Sequence, residues 1–328
     1  MRSFRQLAAV ALCLAVTGCG ASVEKTSTAA ASAKPVTITN CGKKVTFDHV
    51  PERVVTNDVG ITELMFALGL EDRMAGFAMP DDKGDLTDVP WKDGYQKVKW
   101  LSKDQLTKEN VLDARADLVF AGWNYGFRED SGFTPDALAK LGVPSYILTE
   151  SCRNGRTETS RGIMPPLEAL YTDLTTLGQL FGVEQRAAAL IASFKKEIAA
   201  VQAPAKRPKV FLYDSGQDSP FTSGKYAAPD QIISAAGGEN VTHDVDDSWT
   251  TVGWETVVAR NPDVIVICDY GDVSAEQKRK FLLSYAPLRN VAAVRNKRIF
   301  VLDYVDLVES PRNPSAIARL NAYLKTVA

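Results

Sequence analysis

The sequence has few of the side chains from which protein metal sites are built. His49 and His243 are its only histidines, and no two cysteines stand in a CxxC arrangement. A zinc site needs several converging nitrogen and sulfur ligands, so neither a zinc site nor capture of a bare metal ion is favoured. We therefore expect no metal site and no cofactor held by the protein.

The signature motifs of hydrolases are also missing. Gly-x-Ser-x-Gly and His-Glu-x-x-His do not occur, and neither histidine follows a late strand, where a catalytic triad would need one. Ser223-Gly224-Lys225 resembles the end of a phosphate loop, but Ser219 stands where that motif needs its first glycine. We expect no enzyme, and an exported hydrolase remains a distant alternative.

The chain lacks an excess of basic residues. Once Arg2 and Arg5 leave with an N-terminal signal, 36 basic residues face 40 acidic ones, which gives a net charge near −4. Phosphate binding usually needs a basic patch, so nucleic acid is not an expected partner.

Only one long apolar run is present, Leu7–Val16, and it is too short to span a bilayer as a stable helix. Two arginines precede it, which predicts a signal peptide over residues 1–18. The small residues before Cys19 resemble a lipobox, so Cys19 is predicted to carry a lipid. Residues 19–35 contain no aromatic residue and no apolar periodicity, which predicts a flexible tether. We expect an extracytoplasmic protein, lipid-anchored to the cell membrane.

Three cysteines remain after Cys19, and they allow three disulfide pairings. Cys41 lies in an Asn-Cys-Gly turn, and Cys152 follows a run typical of a strand. Cys268 lies within a strongly apolar run, which indicates a buried thiol. A Cys41–Cys152 bridge is favoured, since disulfides persist outside the cytoplasm, but the sequence alone does not choose among the pairings.

The mature chain alternates short β-rich runs with helical patterns, which predicts an α/β fold of parallel sheets flanked by helices. The 45% hydrophobic content supports two domains. The predicted strands are Arg53–Thr56, Met74–Phe77, Asp117–Ala121, Ser145–Thr149, Lys209–Tyr213, Val264–Cys268 and Arg298–Leu302. The predicted helices between them include Ile61–Leu70, Pro135–Leu141 and Pro229–Ala236.

A long helical pattern, Val183–Val201, separates the two sets of strands. Its apolar residues fall on one face at a period of 3.6 residues, and two prolines follow it. The strand pattern restarts directly afterwards, so we interpret this helix as a stiff connector. The predicted lobes are then 36–182 and 204–328, with the connector at 183–203; a packing helix inside one domain is the simpler alternative.

The two predicted lobes contain the same short sequence pattern, a glutamate eight residues before an aspartate, which we call the Glu–Asp echo. Glu109 precedes Asp117 by eight residues, and Glu255 precedes Asp263 by the same distance. In both copies the glutamate begins a helical pattern, where a carboxylate is favoured by the helix dipole, and the aspartate opens an apolar strand. Two lobes of like topology would place Glu109 and Glu255 at equivalent positions.

The order of motifs resembles one family. The second lobe has Pro220-Phe221-Thr222-Ser223-Gly224-Lys225, then Gly237-Gly238-Glu239-Asn240, Trp249, Glu255 and Asn261-Pro262-Asp263. The first has Pro51-Glu52-Arg53-Val54-Val55, then Thr62-Glu63-Leu64 and Ala67-Leu68-Gly69. From about Val36 onward the chain resembles the periplasmic-binding proteins for ferric siderophores and cobalamin, the helical-backbone class that serves ABC importers.

The resemblance implies two lobes joined by one long helix, with a ligand in the cleft between them. It also implies that one glutamate on each lobe docks onto arginines of the importer permease, and Glu109 and Glu255 hold those positions. Trp249 stands where the cobalamin-binding relative has a tryptophan facing its ligand. We expect a monomer whose partners are the permease, a small metal chelate and, through the lipid, the membrane.

Ligands of open α/β sheets sit beyond the carboxyl ends of the strands. The residues at those ends are the predicted ligand contacts: Asn57, Asp58, Val59, Trp123, Tyr125, Phe127, Arg128, Tyr226, Trp249, Tyr270, Tyr304 and Arg312.

Aromatic residues outnumber arginines in this set. Large rings suit a bulky, partly apolar ligand, whereas strongly anionic catecholate or citrate chelates favour arginine clusters. The composition therefore favours an iron chelate, a ferric siderophore of the hydroxamate type. Cobalamin, haem or another cofactor-like ligand of the same family is the alternative.

Overall fold

In the computed structural model of the chain, residues 35–79, 86, 89, 91–153 and 164–328 are described. The predicted signal peptide, the lipidation of Cys19 and nearly all of the predicted tether lie outside these residues. Among the described residues, no helix combines the length and the apolar character needed to cross a bilayer.

The N-terminal lobe is built on parallel strands that pair in the order β5-β4-β3-β6, with β8 on the other edge of β6. A short hairpin, β1 and β2, precedes this sheet. The strands are β1 Val36–Asn40, β2 Lys43–Phe47, β3 Val54–Asn57, β4 Met74–Ala78, β5 Trp100–Ser102, β6 Leu118–Trp123, β7 Gly126–Phe127 and β8 Ser145–Ile147. The helices are α1 Val59–Ala67, α2 Lys92–Lys97, α3 Lys108–Asp113 and α4 Pro135–Ala139.

The C-terminal lobe repeats this design with a parallel sheet of order β11-β9-β13-β14 and a two-stranded ribbon of β10 and β12. Its strands are β9 Lys209–Tyr213, β10 Phe221–Ser223, β11 Glu239–Asn240, β12 Trp249–Thr251, β13 Val264–Asp269 and β14 Ile299–Asp303. Its helices are α7 Ala228–Ala235, α8 Trp254–Arg260, α9 Ala275–Ser284, α10 Ala292–Arg295, α11 Tyr304–Leu307 and α12 Asn313–Lys325. The two-lobed α/β fold predicted from the sequence is confirmed.

Two helices, rather than one, connect the sheets. They are α5 Pro166–Phe181 and α6 Glu184–Ala199, and only α6 is among the helices predicted from the sequence. They pack closely because Gly178 has no side chain: a Cβ there would lie 2.8 Å from Cβ of Ala187. Gly182 ends α5 in a left-handed conformation, which glycine adopts without strain.

Both lobes pack against α5. On the N-terminal side, the Asp173 carboxylate accepts hydrogen bonds from the Tyr146 hydroxyl and the Thr149 backbone N–H, at 2.6 and 2.8 Å. On the C-terminal side, the Leu167 N–H donates to Gln231 Oε1 at 2.6 Å. One apolar cluster contains buried side chains of both lobes, and each lobe has a further cluster of its own.

A disulfide joins Cys41, in the turn of the β1–β2 hairpin, to Cys152, which follows a 3-10 turn after β8; the Cα atoms are 5.3 Å apart. This is the pairing that the sequence favoured. Cys268 is buried in β13 and lies outside this bridge. The bridge closes a loop of 111 residues, and in the chain-entropy account such a constraint on the unfolded state contributes about 4–5 kcal/mol of stability.

Candidate functional site

The carboxyl ends of the two sheets meet between the lobes. Asp58 follows β3 in the N-terminal lobe, and Tyr304 follows β14 in the C-terminal lobe. The Tyr304 hydroxyl donates a hydrogen bond of 2.9 Å to Asp58 Oδ2, and both residues are buried. Burial and the Asp58 charge raise the pKa of Tyr304, so the phenol stays protonated and keeps donating.

A second hydrogen bond crosses between the lobes at Tyr125 and Trp249. The indole Nε1 of Trp249 donates to the Tyr125 hydroxyl at 2.9 Å. The Trp249 ring stacks on Phe221 of β10, with centroids 6.0 Å apart and planes 21° apart. Tyr125 reaches the other lobe because the chain turns sharply after β6, through positive φ angles at Asn124 and Gly126.

Tyr270 adds a fourth ring beside these contacts. Its centroid lies 5.3 Å from that of Tyr304, and its hydroxyl donates to Asp214 Oδ1 at 2.6 Å. Burial and the Asp214 charge raise the pKa of Tyr270. We call the group Asp58, Tyr125, Trp249, Tyr270 and Tyr304 the interlobe seam. Within it Tyr270 packs on Tyr304, and Trp249 is hydrogen-bonded to Tyr125.

Trp123 extends this surface toward solvent and is only half-buried. The guanidinium carbon of Arg153 lies 3.4 Å from the centroid of its ring, a cation–π contact. Arg153 also pairs with Glu129 at 2.9 Å. The sequence placed Trp123 among the ligand contacts but gave no sign of its contact with Arg153.

Arg128 lies in a groove on the N-terminal lobe. The groove has a volume of about 620 Å³, and Gly126, Phe133 and Glu109 also line it. The Arg128 guanidinium binds both carboxylate oxygens of Asp130, at 3.0 and 2.5 Å. Tyr226, in the C-terminal lobe, is half-buried with the Lys225 ammonium 4.7 Å from its ring centroid. Both positions remain accessible to a ligand or partner.

Three predicted contacts lie among core residues in this structure, and their contact with a ligand stays a prediction. Phe127 is fully buried and stacks on Phe133 at 5.8 Å. Val59 is buried in the main apolar cluster. The buried Asn57 amide donates to Gln105 Oε1 at 2.8 Å and accepts from the Leu106 N–H at 2.9 Å. All three sit at strand ends, but their side chains point into the lobe.

Arg312 also lies apart from the seam. Its Nε donates to Glu63 Oε2 at 2.8 Å, and the Tyr95 hydroxyl donates to Glu63 Oε1 at 2.8 Å. Glu63 is fully buried, so the pair neutralises a charge inside the protein. Arg312 lines a cavity of about 890 Å³ with Trp91 and Phe194. The contact of Arg312 with a ligand stays a prediction.

Glu109 and Glu255 occupy matching exposed positions in the first turns of α3 and α8. The backbone N–H of Glu109 and the Thr107 hydroxyl lower the pKa of Glu109, so it carries its charge at neutral pH. The eight-residue echo therefore corresponds to two equivalent acidic positions, one on each lobe.

Three buried carboxyl groups meet where α5 joins the lobes. Glu150 and Glu309 are joined by two hydrogen bonds of 3.2 Å. In each, the backbone N–H of one glutamate donates to the side-chain Oε2 of the other. Asp173 lies beside them, and burial raises the pKa of both Asp173 and Glu309. The three acids are buried at a junction of the two lobes.

Sequence reasoning missed two residues of the site. Phe221, which supports Trp249, appeared only as part of a family motif. Asp214, which accepts the hydrogen bond from Tyr270, directly follows β9. It therefore meets the criterion used for the predicted contacts, a position at the carboxyl end of a strand, which we call the strand-end rule. Within the described part of the chain, His, Cys, Asp and Glu side chains form no group of three suited to a metal ion.

Comparison with known proteins agrees with this geometry. A family model described as "Periplasmic binding protein" matches residues 54–305. An uncharacterized ABC transporter substrate-binding lipoprotein of Bacillus subtilis, YvrC, is 24% identical over 277 residues, 82% of this chain and 78% of that one. A vitamin B12-binding protein of Yersinia pestis is 25% identical over 219 residues, 66% of this chain and 69% of that one.

Solved structures show the same fold. The crystal structure described as an ABC-type Fe3+-hydroxamate transport system from Saccharomonospora viridis is 25% identical to the chain, with a TM-score of 0.75. The match covers 89% of this chain and 99% of that one.

Proposed function

Because the chain belongs to the periplasmic binding protein family, we propose that it captures a ferric siderophore between its lobes and hands it to the permease of an ABC importer. Members of this family bind solutes and are not enzymes, so capture involves no chemical change of the ligand. The proposal includes anchoring of the protein to the membrane through a lipid on Cys19.

The observation that carries the proposal is the interlobe seam. Side chains from the carboxyl ends of both sheets meet there, and four of its five members are large rings that cross or line the boundary between the lobes. Rings supply contact area at a small cost in conformational entropy, and the phenol and carboxyl groups supply hydrogen bonds to a polar ligand edge.

The charge balance near the seam favours a hydroxamate chelate. Two arginines close to predicted ligand contacts pair with carboxylates, Arg128 with Asp130 and Arg153 with Glu129. Among the described residues, these pairs leave less positive charge on the two arginines to neutralise a strongly anionic catecholate or citrate complex. The seam itself contributes Asp58, which suits a near-neutral or cationic chelate. The similarity to the Fe3+-hydroxamate system of Saccharomonospora viridis supports the same choice.

A cofactor-like ligand is the second candidate. The chain is similar to a vitamin B12-binding protein, and the stacked pair of Trp249 and Phe221 could also support a corrin or a flat macrocycle. The ring-rich seam suits this class as well as a siderophore.

Titration of tryptophan fluorescence with ferrioxamine, ferric citrate, a ferric catecholate, cobalamin and haemin, with calorimetric confirmation, tests the proposal. We expect the tightest 1:1 binding with ferrioxamine. Tightest binding of the catecholate or citrate would overturn the hydroxamate assignment, and tightest binding of cobalamin or haemin would establish the second candidate.

Delivery to the permease is proposed to use Glu109 and Glu255. Both are exposed, and both begin helices at equivalent places in the two lobes, so they can meet two arginines of a permease at the same time. Exposed glutamates on both lobes let the permease act on the angle between the lobes and so release the ligand.

A further inference from the structure

We propose that the Cys41–Cys152 disulfide is a positioning element of the ligand site: it holds Ser151 and Arg153 against Trp123, so that Trp123 presents a fixed ring to the chelate. This inference rests on the proposed function, because it treats Trp123 as a ligand contact. It predicts that ligand affinity, and not only stability, depends on the disulfide.

The residue before Cys152 holds the backbone at Trp123. The Trp123 N–H donates to Ser151 Oγ at 2.9 Å, and the Ser151 hydroxyl donates to the Leu148 carbonyl at 2.8 Å. The approach is close, since a Cβ on Gly122 would lie 2.9 Å from Ser151 Oγ. Displacement of Ser151 would therefore remove a hydrogen bond from the backbone that carries the Trp123 ring.

The residue after Cys152 holds the Trp123 side chain. The Arg153 guanidinium covers one face of the indole at 3.4 Å and is kept there by its ion pair with Glu129 at 2.9 Å. Arg153 is mostly buried, with 18% of its side chain exposed. The indole therefore has one face covered by Arg153, and Trp123 as a whole is half-exposed.

The disulfide fixes the segment that contains both contacts. On one side, Cys41 belongs to the turn of a paired hairpin, and the preceding Asn40 makes two hydrogen bonds of 2.7 and 2.8 Å to the backbone of Ile147. On the other side, Cys152 stands directly between Ser151 and Arg153. The bridge thus ties a rigid hairpin to the residue that lies between the two supports of Trp123.

Loss of the bridge should free two side chains that the ligand would then have to order. Ordering a side chain at an interface costs about 0.5–1.5 kcal/mol, so freeing Trp123 and Arg153 corresponds to about a tenfold loss of affinity. Reduction of the disulfide, which adds two electrons and two protons and yields two thiols, should have the same effect as its removal by mutation.

A double-mutant cycle on ligand affinity tests the inference. The variants are Cys41→Ser/Cys152→Ser, Trp123→Ala and the triple variant, measured by calorimetry with ferrioxamine below the unfolding temperature of each. We expect about a tenfold loss on removal of the bridge in the wild-type background. In the Trp123→Ala background we expect less than about a twofold loss, because the bridge then has no ring to position.

The control for stability alone is Leu282→Ala. Leu282 is fully buried in α9, among C-terminal lobe residues that do not belong to the seam, so its truncation leaves a cavity and lowers the stability of the fold, as loss of the bridge does. The affinity of Leu282→Ala for ferrioxamine should match that of the wild type.

Equal losses of affinity on removal of the bridge with and without Trp123, or no loss in either background, would overturn the inference while leaving chelate capture intact. Failure of the wild type to bind any chelate of the panel would instead refute the proposed function, and the inference with it.

Discussion

Asp117 and Asp263 make the same contact in the two lobes. The Asp117 carboxylate accepts hydrogen bonds from the N–H groups of Glu52 and Arg53, at 2.8 and 2.9 Å, and Asp263 accepts one from the N–H of Lys209 at 2.9 Å. Each aspartate thus ties the start of its own strand to the start of the neighbouring strand. The eight-residue spacing to Glu109 and Glu255 then fixes the two glutamates at equivalent positions.

This equivalence predicts the outcome of charge reversal at the docking positions. Glu109→Arg/Glu255→Arg should abolish uptake of the labelled chelate by cells, since both permease arginines would meet like charges. The affinity of the purified protein for the chelate should stay within about twofold, because neither glutamate belongs to the seam.

Glu276→Arg is the matched control for that experiment. Glu276 is also an exposed glutamate in the first turn of a helix, α9, but it has no counterpart in the echo. Uptake should survive its reversal. If the double variant still supported uptake, or if Glu276→Arg abolished it as well, the docking assignment would be wrong.

A second prediction concerns the Glu63–Arg312 pair, which joins α1 to the start of α12. Arg312→Met should lower the free energy of unfolding by about 3–5 kcal/mol, because it leaves the Glu63 charge buried without its partner. Glu63→Leu/Arg312→Met should recover most of that loss. Urea unfolding followed by circular dichroism measures both values, and a double variant no more stable than the single one would contradict the pairing.

The buried carboxyl groups at the lobe junction predict a dependence of stability on pH. The pKa values of Asp173 and Glu309 are raised by burial, so the folded protein binds protons more tightly than the unfolded chain. Their stabilising contribution is complete below the ordinary pKa values, 3.8 for Asp173 and 4.5 for Glu309, and is lost as the pH rises through the raised values. The melting temperature should therefore fall as the pH rises above 4.5.

Glu309→Gln isolates this effect, since the amide resembles the protonated acid. Its melting temperature should fall less steeply over the same pH range. Tyr146, Thr149, Thr176 and Glu150 face these acids and are unchanged in the variant. An identical slope in the wild type and in Glu309→Gln would show that the junction does not titrate.

Much of the fold follows from the sequence because local patterns specify it. The strand Lys209–Tyr213 has the predicted bounds, and the Glu–Asp echo identifies the two lobes before any pairing is known. No helix is predicted at α5, although Leu170, Leu174 and Leu177 are buried on one face and Glu168 and Thr175 are exposed on another. This spacing is helical, so the signal for α5 is present in the sequence.

The site was only partly predictable, for two physical reasons. The strand-end rule locates Tyr125 and Phe127 equally, but only the turn through Asn124 and Gly126 decides that Tyr125 points across the lobes and Phe127 into the core. Pairs such as Glu63–Arg312 join residues 249 positions apart. A single sequence contains no signal for such a contact, so Arg312 was assigned to the ligand.

The central claim is that the chelate binds at the interlobe seam, and ¹⁹F NMR of protein labelled with 5-fluorotryptophan tests it most directly. High-spin ferric iron broadens nearby resonances, whereas the gallium form of the same siderophore does not. With ferric but not gallium ferrioxamine, the Trp123 and Trp249 signals should vanish. The signal of Trp100, exposed on the edge strand β5, should remain sharp. A sharp Trp249 signal together with loss of the signal from Trp91, which lines the Arg312 cavity, would contradict the account.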